Sequence, residues 1–428
     1  MNPRKTSSDL DPSQSPVSIP HLLEAAWVAP MDAPLLRDGS VVFQDGKILA
    51  VGDAKSLRRD YPQAIREDLG NVVLLPGLVN AHVHLELSDC QSGTPPAGGF
   101  GAWLLQLTRR NLSMAASQEE TYKAVVKWGV NQCLRFGITS VGDISRQSAI
   151  SRSVLQNGPL RVTSYGEIQA MAKRRTLFAE RFAMASDSTF ASQWLRIGLS
   201  PHAPYTVEPF GYSACRIAAE KNQMPLATHL AESPEENFFL TNHGGPFQEL
   251  WEAIGQWDEQ VPYFAGGPIR FADSLGLIKF PTLLAHVNYC DDDELSILAA
   301  GRASVVYCPR THRYFGHSPH RWQDMLARGI NVALGTDSCA SSPDLNLVDD
   351  VRLVHALAPD FPVMRLFEMV TVRGAKAIDA ESSVGSITPG KCADFVTFAV
   401  ESENPLLEIL ERNNLPLTTW IAGEIQVL

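Results

Sequence analysis

The feature that most constrains this chain is a β-then-α rhythm that repeats eight times. Apolar runs occur at residues 78–80, 138–141, 161–165, 196–200, 225–228, 283–285, 304–307 and 331–335, with stretches of helical spacing between them. Buried apolar runs joined by crossover helices mark parallel strands. One such helix is read from Ser117, which pairs with Glu120 as a capping box, through Tyr122, Val125, Val126, Val130, Cys133 and Leu134 to a stop at Gly137. Another starts at Asp291-Asp292-Asp293-Glu294 and ends near Gly301. Eight units over about 300 residues suit a (β/α)8 TIM-type barrel. A doubly wound open sheet would show the same alternation.

The two ends read differently. Short strands separated by turns, such as Asp45-Gly46, occupy residues 21–52, and a second set occupies 395–400 and 418–427. Neither set can bury much alone. Both ends are therefore expected to fold together as a small β-sandwich domain made of residues 19–75 and 380–428, with residues 76–379 forming the barrel between them. Residues 1–18, rich in Ser, Pro and Asp, are expected to be a flexible tail.

Charge and cysteine content narrow the partners. The chain has 36 basic and 47 acidic residues, a net charge of −11, which disfavours phosphate backbones and anionic lipid. No nucleic acid, no membrane and a small-molecule substrate are expected, with a homodimer left open as the assembly. Seven cysteines without a C-x-x-C pair indicate neither a disulfide framework nor a thiolate zinc site. No apolar run is long enough for a signal or a span, so a cytoplasmic location is expected.

The chemistry is read from the strand ends, because a barrel gathers the C-terminal ends of its strands into one mouth. His82 and His84 follow the first strand, His202 the fourth, His229 the fifth and His286 the sixth. Alternating side chains of an extended H-x-H project to one side. With His229 as a third nitrogen donor and Asp337 after the eighth strand as an anionic oxygen, the set suits one divalent ion, Zn2+ first and Fe2+ as the alternative. Glu232, three residues beyond His229, is placed to move protons between an activated water and a substrate ring nitrogen. His286 is placed to steady the developing tetrahedral centre.

With these residues in view, the chain resembles the amidohydrolase superfamily. Pro76-Gly77-Leu78-Val79-Asn80-Ala81-His82-Val83-His84 is similar to its first-strand motif, and Gly385-Ser386-Ile387-Thr388-Pro389-Gly390-Lys391-Cys392-Ala393-Asp394-Phe395 to its return into the small domain. Leu199–Thr206, read as L-S-P-H-A-P-Y-T, and His229-Leu230-Ala231-Glu232 resemble the branch that deaminates adenosine-like and related aminated heterocycles. That resemblance implies one metal on residues matching His82, His84, His229 and Asp337. It also implies proton handling by Glu232 and His286, proton acceptance by Asp337, and substrate contact by His202. The two-metal members bridge their ions through a lysine after the fourth strand, and residues 195–206 contain none.

After the seventh strand the branch commonly carries C-P-x-S-N, whereas this chain reads Cys308-Pro309-Arg310-Thr311-His312-Arg313. With Leu85-Glu86-Leu87-Ser88 after the H-x-H, it is closer to aminodeoxyfutalosine deaminases than to guanine or S-adenosylhomocysteine deaminases. Arg310, His312 and Arg313 are expected as a cationic rim for a substrate carboxylate. His317 and His320 are read as loop residues. The glycine- and proline-rich segment running from Gly93 into Trp103 is expected to be a lid. The expected reaction is hydrolytic replacement of a ring amine with release of ammonia. The alternatives are the same machinery acting as a guanine deaminase, chlorohydrolase or amidase, or a silent metal-binding module.

Overall fold

The computed structural model of the chain describes residues 18–113 and 119–427. The expected tail, apart from its last residue, and the Ser117 cap lie outside the described residues. Near the N-terminus come β1 (His21–Val28), β2 (Leu36–Gln44), β3 (Lys47–Asp53), β4 (Ile65–Asp68) and β5 (Val72–Pro76). Eight strands alternate with helices after them: β6 (Leu78–Val83), β7 (Ile138–Ser145), β8 (Arg161–Ile168), β9 (Leu195–Pro201), β10 (Leu226–Leu230), β11 (Thr282–His286), β12 (Ser304–Tyr307) and β13 (Asn331–Leu334). β14 (Phe395–Ala399), β15 (Thr418–Ile421) and β16 (Glu424–Ile425) end the chain.

β6 to β13 lie side by side in chain order and pair in parallel throughout. This is the barrel, and the open-sheet alternative is set aside by its seam. Past the end of β13, Asp337 N donates to His82 O at 3.1 Å, and Val83 bridges Asp337 in parallel. The Asn80 side chain fastens the same seam, donating to Thr336 Oγ1 at 2.8 Å while its own oxygen accepts Thr336 N at 3.1 Å. Gly335 is required there: a Cβ would lie 2.8 Å from His82 O, so any side chain would hold the last strand off the first. Every residue of β6, β7, β10, β11, β12 and β13 is buried, as expected of strands lined by helices on one face and a filled interior on the other. The interior packs small residues, Ala81, Ala227, Ala285 and Ala333, among Val79, Leu283 and Val306.

The ends of the chain form one connected mixed sheet in the order β16-β15-β14-β5-β1-β2-β3, with β4 also beside β1. Alternation along β1 and β2 separates its two faces. Leu23, Val41 and Phe43 pack with Leu74, Phe395 and Trp420 on one, and Leu22 and Val42 with Leu57 and Ala64 on the other. Arg161, opening β8, donates to Asp394 at 2.6 and 3.1 Å and ties this sheet to the barrel. The helix expected to start at residues 291–294 runs from Asp292 to Ala299, and Asp291 and Glu294 close its N-terminus as a capping box. No helix among the described residues is long and apolar enough to cross a membrane.

Candidate active site

The mouth of the barrel brings together six of the side chains singled out by sequence. Leu230 on β10 pairs with His286 on β11, so His229 and His286 stand on neighbouring strands, while the seam sets Asp337 against His82. His84 Nε2 lies 3.3 Å from His229 Nε2. Asp337 Oδ1 lies 3.7 Å from the Nε2 of both His82 and His84. Ligand atoms of His82, His84 and Asp337, of His82, His229 and His286, and of Glu232, His286 and Asp337 each fall within 4.8 Å of one another, and all are buried.

The outer nitrogens decide what the inner ones can do. His84 Nδ1 donates to Ile144 O at 2.9 Å and His229 Nδ1 donates to His202 O at 3.2 Å, which leaves both Nε2 atoms as lone pairs. Two lone pairs 3.3 Å apart repel unless a cation lies between them. Both ring nitrogens of His82 are buried without a hydrogen-bond partner. A buried imidazole left unpaired costs free energy, and a metal ion removes the cost at once. The donor set, three imidazoles and one carboxylate, therefore fits a zinc-like ion.

Electrostatics separate the acids. Burial would raise the Asp337 carboxyl, but the imidazoles of His82, His286 and His84 outweigh it and hold it well below the usual carboxylate range. Burial, followed by the charge of Asp337 and then of Glu236, pushes Glu232 well above its usual value. Glu236 accepts the N–H groups of Ala231 and Glu232 at 3.0 and 3.1 Å, which sets the turn that carries Glu232. Burial keeps His84, His229 and His286 neutral. One carboxyl that readily carries a proton thus sits near another that does not.

Two backbone distortions aim the groups. His286 and Asp337 have φ of 74° and 56°, a region that costs a non-glycine residue energy and persists only where neighbours enforce it. His320 enforces it for His286 by donating Nε2–H to the His286 carbonyl at 2.9 Å. Burial lowers the His320 imidazole to about 3, so it stays a neutral donor. His320, in a loop as the sequence reading has it, is therefore a half-buried support for the site.

A cavity of about 80 Å³ opens onto these groups, lined also by Glu86, Phe100, Trp103, Leu104, Leu107, Arg146, Glu167, Gln169 and Tyr205. The segment expected as a lid is irregular as far as Gly98 and then enters the helix Gly99–Ser113, which supplies Phe100 and Trp103, and Trp103 Nε1 donates to Ala340 O at 3.2 Å across the mouth. His202 lines the cavity as expected, its Nδ1 bonded to Thr206 Oγ1 at 2.7 Å.

The seventh-strand rim does not form. Arg310 is buried, donating to Asp350 at 3.0 Å and Asp344 at 2.6 Å, a pairing its charge demands once the helix Leu347–Leu357 packs against it. His312 donates Nε2–H to Ser318 O at 2.8 Å, and Arg313 is exposed to solvent. None of the three lines the cavity. The basic residue that does is Arg146, which follows β7. Glu86 was missed as a structural anchor. Its carboxylate accepts Tyr122 and Ser145 hydroxyls and the Arg146 and Gln147 amides, gripping the loop that presents Arg146. Only its place two residues beyond His84 hinted at this.

Comparison with known proteins agrees with the geometry. The model of the amidohydrolase family matches residues 73–426, and a bacterial imidazolonepropionase-like composite domain matches residues 41–64. An aminodeoxyfutalosine deaminase from Deinococcus radiodurans is 31% identical over 369 residues, covering 82% of each chain. The crystal structure of Helicobacter pylori aminofutalosine deaminase in complex with methylthio-coformycin superposes with a TM-score of 0.84 at 24% identity, covering 95% of this chain and 100% of that one. An adenosine deaminase from Xanthomonas campestris with bound zinc gives 0.79 at 22% identity, covering 95% and 92%.

Proposed function

The chain belongs to the amidohydrolase family, and on that footing we propose that it is a metal-dependent hydrolytic deaminase of an aminated purine nucleoside. Aminodeoxyfutalosine is the substrate we put first, on the strength of the Deinococcus relative. The observation that carries the reading is the pair of imidazole lone pairs held 3.3 Å apart beside Asp337, with a second, proton-carrying carboxyl at Glu232. We assign the metal to His82, His84, His229 and Asp337, and zinc is the ion the donor set and the zinc-bound neighbour favour. A divalent cation there would supply Lewis acidity sufficient to bring the pKa of a bound water to about 7.

The residues of the chain do the rest. Asp337, ionised, accepts a proton from the attacking water. Glu232, carrying a proton, donates it to the ring nitrogen next to the amine-bearing carbon and so lets that carbon take the oxygen. His286, neutral and backed by His320, lies at the position where negative charge grows in the tetrahedral centre. His202 orients the ring from the fourth strand. Collapse of the centre breaks the C–N bond, and ammonia leaves with the proton passed through the carboxylates. Phe100, Trp103 and the rest of the lid helix keep bulk water out while this happens. We place this chemistry in residues 76–379, with residues 19–75 and 380–428 as the accompanying small domain. All seven cysteines are free, which favours a reducing compartment such as the cytoplasm.

The test is ammonia release from zinc-loaded protein with aminodeoxyfutalosine, 5′-methylthioadenosine, S-adenosylhomocysteine, adenosine and guanine. Turnover of the adenine nucleosides supports the reading. Turnover of guanine alone, or of none, refutes it.

A further inference from the structure

The segment after β12 carries three histidines, His312, His317 and His320, none of which lines the active-site cavity. All three are nonetheless engaged. His312 donates Nε2–H to Ser318 O at 2.8 Å and folds the segment back on itself. The His320 ring stacks on the Tyr307 ring with 4.1 Å between centres, which fixes its plane, and its Nε2–H donates to the His286 carbonyl at 2.9 Å. His317 Nδ1 shares a hydrogen bond of 3.1 Å with the Tyr289 hydroxyl. Two histidines thus grip residues 286–289, one at each end.

The gripped residues follow a strained path. His286 and Val287 both have positive φ, 74° and 51°, and a β-branched residue is rare in the left-handed region. Two such residues in succession relax unless their surroundings hold them. The turn opposite, which carries Glu232, is fixed from its own helix by the Glu236 carboxylate. Residues 286–289 are laced to that turn: Val287 N donates to Leu230 O at 3.0 Å, Tyr289 N to Ala231 O at 3.2 Å, and Asn288 Nδ2 to Glu232 O at 2.9 Å. The path of this short segment therefore decides how the His286 ring meets Glu232, 3.5 Å away.

We propose that His317 and His320 clamp residues 286–289 in this strained path and thereby hold His286 in register with Glu232. Both are positioning residues: neither lines the cavity, and each acts through a carbonyl or hydroxyl of the segment it holds. The inference rests on the deaminase reading above and deepens it by naming what aims His286. It also gives residues 311–320, where the chain departs from the C-P-x-S-N pattern, a different use from the expected substrate rim. They brace the end of the sixth barrel strand.

The experiment measures kcat and KM of the zinc-loaded protein for aminodeoxyfutalosine in a double-mutant cycle. His320→Phe keeps a ring against Tyr307 and removes the donor to His286. It should lower kcat about a hundredfold, with KM within about threefold and metal content unchanged. His320→Gln, which keeps an N–H donor, should recover about tenfold of that loss. Added to His286→Ala, the same His320→Phe should cost less than about threefold, because the ring it aims is gone. A fold merely weakened would scale kcat alike in both backgrounds, so equal losses overturn the proposal. Tyr289→Phe removes only the hydroxyl that His317 holds, and kcat should fall about fivefold, an effect that again disappears in His286→Ala. Unaltered kcat in both His320→Phe and Tyr289→Phe overturns the clamp and leaves the deaminase reading standing. If the unaltered protein releases no ammonia from any nucleoside of the panel, the deaminase reading falls and a crystal structure of His320→Phe decides the clamp. Negative φ at residues 286 and 287 upholds it, whereas φ still near 74° and 51° overturns it.

Discussion

Glu232 Oε1 lies 3.5 Å from His286 Nε2, at the buried ends of two neighbouring barrel strands. One partner is a carboxyl pushed upward by burial and by Asp337, the other an imidazole pushed downward by burial. Both shifts favour the uncharged pair, so a proton sits on the carboxyl and not on the ring. That is the state in which Glu232 can hand a proton to substrate.

Glu232→Gln keeps the volume and removes the transferable proton. The variant should bind metal as the unaltered protein does and lose turnover by about a thousandfold. Metal content and ammonia release, measured on the same preparation, check this; activity within tenfold of normal would take the proton-carrying role away from Glu232.

The opposed lone pairs of His84 and His229 make the empty cluster costly, so metal should stabilise the fold. At a hundredfold excess of free zinc over its Kd, mass action adds about 2.7 kcal/mol. Chelation is expected to lower Tm and abolish ammonia release, with zinc restoring both, and His229→Ala should blunt the Tm response. An unchanged Tm on chelation counts against the assigned ligands.

Arg310 is a structural cation. Arg310→Met leaves Asp350 buried without its partner and should cost about 3–5 kcal/mol in chemical denaturation. The kcat/KM of the folded, zinc-loaded variant for aminodeoxyfutalosine should stay close to normal. A selective loss on that substrate would return Arg310 to the binding site.

The lid helix rests on Pro246 through Gly101, where a Cβ would come within 2.2 Å of the proline ring. Gly101→Val must push the helix away from the helix Gly245–Ala253. Because Phe100 and Trp103 travel with it, KM should rise about fivefold or more while metal content holds. Unaltered kinetics would mean the lid does not shape the cavity.

Asp143 is buried on β7, its Oδ1 accepting Leu85 N–H at 3.0 Å, and burial pushes its carboxyl up to about 7. The folded chain therefore holds this proton more tightly than the unfolded chain, where an aspartate titrates near ~3.9. Its contribution to stability is complete below that unfolded value and is lost as pH rises through about 7. Asp143→Asn removes the ionisation. Thermal unfolding of the metal-free proteins should show the unaltered Tm declining between about pH 5 and 8 relative to the variant; parallel curves would contradict the assigned burial effect.

Much of this arrangement was legible in the chain, and the parts that were not share a cause. All eight barrel strands fall on the apolar runs read from sequence, because burial on both faces leaves an unbroken apolar signature. The convergence of His82, His84, His229, His286, Glu232 and Asp337 followed from one geometric rule, that parallel strands in a barrel end on the same side. No such rule linked Arg310 to Asp350, forty positions away, or told His320 from a surface loop residue. Nor did anything in the order of residues separate Arg146, which lines the cavity, from Arg313, which faces solvent.

Periodicity reports the local backbone state and which face of an element is apolar, so the amino-acid order was sufficient for the element types, their count and the side of the barrel where chemistry gathers. Which charged groups meet each other, and which are left to meet a ligand, depended on how separate loops come to rest against one another. A guanidinium takes whatever partner the packing brings near: Arg310 received two carboxylates, whereas Arg174, among the described residues, stands over the Trp251 ring instead.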